Sequence, residues 1–181
     1  VSQVNGSGAN VGSTITLPSG ASLTLTSTCS FTYNPNGAFN YLADGQTGTD
    51  SFTYQVSDGT GNFSTATAFV TVNGLNDAPV TTVPVAQATD EDIAKVFSSG
   101  NGNQIFITDV DAGGANNQVT ITVTNGSLTL AGTTGLTFVS GDGTADGTMT
   151  FRGTASAINT ALNGLSYNPT ADFNPPDSFM L

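Results

Sequence analysis

Thirteen acidic side chains against two basic ones, Lys95 and Arg152, leave this 181-residue chain at a net charge of −11 with no histidine and one cysteine. A polyanion this poor in cations does not hold nucleic-acid phosphates or anionic lipid by charge. The missing His and single Cys likewise exclude a zinc site, a Ser-His-Asp or Cys-His arrangement, an imidazole base and an internal disulfide. With 22 Gly, no Trp and only 8% charged residues, the composition is that of an all-β protein with many turns and one or two small cores.

Along the first half, strands are expected near 2–4, 13–16, 22–27 and 30–34. Ser51-Phe52-Thr53-Tyr54-Gln55-Val56 alternates polar with large apolar residues, the period of a half-buried strand. Asp58-Gly59 and Gly61-Asn62 supply a turn, and residues 64–73 pair back. The segment Asn73-Gly74-Leu75-Asn76-Asp77-Ala78-Pro79 then leaves the sheet. Pro79 cannot donate a sheet hydrogen bond, which divides the chain into domains 1–77 and 78–181.

In the second half, strands are expected near 79–86, 104–108, 118–124, 127–131, 136–139, 148–152 and 165–167. Residues 154–164 instead place apolar side chains at helical spacing, with Thr154 or Ser156 as N-cap and Gly164 as the stop. That helix is structural. Lys95 could in principle join an Asn in an isopeptide bond, but its neighbours Asp90-Glu91-Asp92 favour an exposed turn.

The halves echo each other. Ser30-Phe31-Thr32-Tyr33-Asn34-Pro35 returns as Leu165-Ser166-Tyr167-Asn168-Pro169. Asp50-Ser51-Phe52 returns as Asp177-Ser178-Phe179, and Val4-Asn5-Gly6-Ser7 as Thr124-Asn125-Gly126-Ser127. Three landmarks in one order point to two copies of one architecture. In that register the first copy lacks strands before Val1 and the second lacks its last strand, so the chain reads as an internal piece of a longer secreted protein.

Twelve of the acids are Asp and one, Glu91, is Glu. Several Asp precede Gly and suit turns, Asp58 and the 141–147 loop among them. Others could hold Ca²⁺, which takes six to eight oxygen ligands. In a sandwich, successive loops alternate between the two ends. This brings Asp50, the linker residues Asn76 and Asp77, and the Asp109-Val110-Asp111 loop towards one interdomain junction, with Asp44 nearby. Such carboxylates repel one another unless a cation sits among them. Asp90, Glu91, Asp92, Asp172 and Asp177 belong to the opposite end, where a further junction would lie.

The text SFTYNPNGAF, GTDSFTYQVSDGTGNFSTATAFVTVNG and NDAPV resembles the bacterial VCBS-type repeat, a cadherin-like immunoglobulin-fold module found in tandem in long surface proteins. Residues 79–181 resemble a second cadherin-like repeat through ATDEDI, ITDVDAGG, VTNGSLTL, GDGTADGTMTFRGT and AINTALNGLSYNP. Cys29 departs from the pattern, standing where a small turn residue such as Gly is usual. The resemblance implies two tandem immunoglobulin-like β-sandwiches and a calcium-stiffened stalk in a secreted or surface adhesin. It also implies a junction site built from linker Asn/Asp, a following Asp-x-Asp and an acid of the preceding domain.

The expected function is therefore a non-enzymatic extracellular stalk, with neighbouring repeats of the same chain as partners, no nucleic acid and no membrane insertion. One alternative is a filament subunit joined to other copies by edge-strand pairing. Another is a module for sugars or ice, which needs a flat polar or aromatic face.

Overall fold

The computed structural model describes residues 1–172 and 179–180. The chain divides into two compact units, Val1–Asp77 and Ala78–Leu181, and each is a β structure.

The first unit contains β1 (Gln3–Val4), β2 (Thr14–Thr16), β3 (Ser22–Leu25), β4 (Phe31–Asn34), β5 (Thr47–Ser57) and β6 (Phe63–Asn73). They form two antiparallel three-stranded sheets, ordered β1-β5-β6 and β2-β3-β4. Val4 and Phe52 from one sheet meet Leu23 and Leu25 from the other, with Leu17 and Ala21 between them. The β5–β6 hairpin pairs from Thr47↔Asn73 to Ser57↔Phe63. Its turn is closed by Asp58, whose carboxylate accepts from the Thr60 and Asn62 backbone N–H groups at 2.8 and 3.2 Å and from Asn62 Nδ2 at 2.6 Å. These bonds hold the Asp58 carboxyl far below its usual range. Asp58 is a turn residue.

The second unit contains β7 (Val80–Thr82), β8 (Lys95–Phe97), β9 (Phe106–Thr108), β10 (Asn116–Val123), β11 (Gly126–Thr129) and β12 (Thr137–Ser140). After these come β13 (Thr148–Thr154), α1 (Ala155–Leu162), β14 (Leu165–Pro169) and β15 (Phe179–Met180). Its sheets run β12-β13-β10-β15, β11-β14-β8 and β7-β9. Val119, Ile121 and Val123 alternate into a core with Leu128, Met149, Phe151 and Leu165. The segment 141–147 joins the neighbouring strands β12 and β13, and Asp146 Oδ2 accepts from the Asp142 and Gly143 N–H groups at 3.0 and 2.7 Å. It is a hairpin loop.

The helix closes this core with Ile158, Ala161 and Leu162, which share one face at i, i+3 and i+4. Thr154 is the N-cap, its hydroxyl accepting from the Ala157 N–H at 3.2 Å. Thr154→Ala should lower the stability of the unit by about 1 kcal/mol, read as a shifted urea midpoint. Asn159 fastens the helix to β9: its amide donates to the Ile107 carbonyl and accepts from the Ile107 N–H, both at 2.8 Å.

Four expectations change. β7 stops at Thr82 rather than 86, because Pro84 has no N–H and biases the residue before it. β8 was not foreseen; it makes Lys95 a half-buried strand residue opposite Tyr167 instead of an exposed turn residue. β5 begins at Thr47, so Asp50 lies inside a strand and not in the loop before one. The Asn-Gly echo carries two different structures. Asn5 and Gly6 take φ of 45° and 77° in a two-residue turn that pairs Val4 with Ser7. Gly126 starts β11, where a Cβ would stand 2.5 Å from the Asn168 carbonyl and the Tyr167 ring.

Candidate metal centre

β9 and β10 are joined by residues 109–115, an irregular loop tightened by a 2.6 Å bond from the Ala115 N–H to the Ala112 carbonyl. Gly113 and Gly114 take φ of 54° and 97° there, which side chains with a Cβ rarely adopt. Val110 is exposed, while the residues on either side turn inward: Asp109 is half-buried and Asp111 is 3% exposed. Asn117, the second residue of β10, is 9% exposed.

Two polar atoms in this loop region are buried without a hydrogen-bond partner, Asp109 Oδ1 and Asn117 Nδ2. Burying a polar atom unpaired is costly, and a carboxylate oxygen most of all. The Asn117 amide can turn to present its oxygen in place of its nitrogen. Two carboxylates and a side-chain amide are the donor types a hard cation selects. By that test the residues present suit Ca²⁺. Asn117 does not stand out in the sequence, because it lies inside a strand segment and not in a loop or linker.

The other expected ligands are occupied or exposed. Asp50 is 8% exposed. Its Oδ2 accepts from the Ser19 hydroxyl at 2.6 Å and the Tyr33 hydroxyl at 2.9 Å, and Oδ1 accepts from the Ser51 N–H at 2.8 Å. Burial alone would raise this carboxyl, but the three donors outweigh it and hold the group below the usual carboxylate range. Asp50 thus ties β5 to the opposite sheet, with its oxygens already in use.

Asp44 is exposed in a turn that Gln46 closes through the Ala43 N–H. Asn76 and Asp77 are exposed, and Asn76 Nδ2 donates to the Asp77 carbonyl at 2.9 Å. Asp90, Glu91 and Asp92 are exposed around a turn closed by a bond from the Ile93 N–H to the Asp90 carbonyl. Asp172 is exposed at φ 58°, and Asp177 lies outside the described residues. Among the described residues, no three His, Cys, Asp or Glu side chains gather closely enough to hold a metal ion.

Comparison with known proteins adds one finding, and it concerns the first unit. Residues 2–73 match the bacterial Ig domain family. The two face-to-face antiparallel sheets described for Val1–Asp77 agree with a bacterial Ig domain, and so does the long terminal hairpin. The match ends at Asn73, the last residue of β6. No curated protein matches the chain. Among the described residues, no helix is long and apolar enough to cross a membrane.

Proposed function

We propose that this chain is a structural spacer of an extracellular bacterial adhesin-type protein, of the VCBS and cadherin-like kind, whose second unit takes up Ca²⁺ at the Asp109–Asp111 loop. The bacterial Ig domain match over 2–73 supports the spacer reading, since such domains typically serve as non-enzymatic structural modules at the cell surface. The unpartnered buried atoms Asp109 Oδ1 and Asn117 Nδ2, at the two ends of the segment that joins β9 to β10, support the cation. Asp109, Asp111 and Asn117 would hold it, and its charge would neutralise the buried carboxylates and fix the loop. By sequence position, Asn76 and Asp77 are candidates to add ligands, which would make Ca²⁺ a stiffener of the boundary between units.

Thermal unfolding in Ca²⁺ and in EDTA tests the reading. A ligand bound only by the folded state adds about 2.7 kcal/mol at a hundredfold excess over Kd, so the melting temperature should rise with Ca²⁺. Asp109→Asn and Asp111→Asn should abolish the rise, and Asp77→Asn should reduce it if the linker contributes. Equal melting in Ca²⁺ and EDTA would remove Ca²⁺ from the function.

One observation favours self-assembly as a second reading. β6 is an edge strand of eleven residues with neither charge nor proline, and edges of that kind recruit further strands. Light scattering that grows with concentration regardless of Ca²⁺ would support it.

A further inference from the structure

The outward face of the β5–β6 hairpin takes no part in the core. Strand alternation sends Ala68 and Val70 inward and leaves Phe63, Thr65, Thr67 and Phe69 on the outer face, with Thr53 and Gln55 opposite the threonines on β5. Phe63 is 62% exposed and Phe69 is 72% exposed. Two large rings are thus left in water on one face of one strand. They stand six residues apart, about 20 Å along the strand.

What lies between and around the rings narrows the partner. Only hydroxyl and amide side chains separate them, whereas the centre of a protein–protein interface is apolar and close-packed. The face carries no charge: Asp50, the single acid within the two strands, turns inward, and the first unit has neither Lys nor Arg. Nothing here attracts an anion, and nothing on the strip itself attracts a cation. Two flat rings flanking a run of hydroxyls match a pyranose chain, which offers C–H faces for stacking and hydroxyls at its rims. A span of about 20 Å calls for an oligomer and not a single sugar.

We propose that the outward face of the β5–β6 hairpin binds an extended neutral polysaccharide, with sugar rings stacked on Phe63 and Phe69 and hydroxyls bonded to Thr65, Thr67 and Gln55. Titration calorimetry of the whole chain with cellohexaose, laminarihexaose, mannohexaose and glucose tests it. At least one hexasaccharide should bind, and glucose should not. Phe63→Ala and Phe69→Ala should each weaken binding about tenfold or more, since the second ring acts at the high effective concentration set by the first. Phe69→Leu, which keeps an apolar side chain but loses the ring, should weaken it similarly. Because both rings are exposed, the double Phe63→Ala, Phe69→Ala variant should melt as the parent does. Binding of none of the hexasaccharides overturns the proposal, as does unchanged binding by the double variant. Self-association of the parent that vanishes in the double variant would make the face a protein interface and overturn it too.

Discussion

Asp50→Ala is expected to destabilise the first unit by about 3 kcal/mol, because it strands three donors that now share one buried carboxylate. Ser19 and Tyr33 come from the facing sheet and its turn, so the substitution also cuts a polar tie across the sandwich. Asp50→Asn should cost less, since the amide oxygen still accepts and the Ser19 and Tyr33 hydroxyls can rotate to receive its N–H. The same group contributes to the acid limit. Its folded pKa lies below the ordinary value near 3.9, so its contribution is complete above about pH 4 and is lost as pH falls through the folded value. Urea unfolding from pH 2 to 5 should show this slope in the parent and a flatter one in Asp50→Ala. Tyr33 sets an alkaline counterpart: burial, the bond to Asp50 and the Asp50 charge push its hydroxyl up to about 12. Its stabilisation is therefore present below about pH 10 and fades between there and 12. Tyr33→Phe should erase that alkaline loss.

In the second unit the largest effect belongs to Phe151. It is fully buried in β13, faces Val119 across β10, and holds its ring centroid 5.7 Å from that of Phe138. Phe151→Ala should cost about 4 kcal/mol, the transfer free energy of the ring plus the cavity it leaves. Phe151→Leu should cost less than half of that. Urea unfolding checks both, with a lowered midpoint and an unchanged m-value if compactness is preserved.

The local signals were readable because local chemistry decides them. Alternation announced β5 and β6, Asp58-Gly59 announced their turn, and Thr154 to Gly164 announced α1 with its cap. Long-range pairing decides the rest. Lys95-Val96-Phe97 is too short to carry a period and becomes a strand only because Leu165 to Tyr167 lie beside it. Thr47-Gly48-Thr49 reads as loop, yet it extends β5 against Thr71 to Asn73, and this moves Asp50 from a loop end into the sandwich. The Asp109-Asp111 loop was legible through its acids. The burial of the Asn117 amide and the saturation of Asp50 depend on which atoms meet which donors, and spacing does not contain that information.

The amide of Asn159 does for β9 what a neighbouring strand would do: it takes up the N–H and C=O of Ile107 on the side away from β7. One side chain on a helix thereby closes this one pair of backbone groups to intruding chains. In a protein that is almost wholly β, such a plug is a safeguard against runaway sheet growth. A change as mild as Asn159→Leu would leave the Ile107 N–H and C=O without that partner.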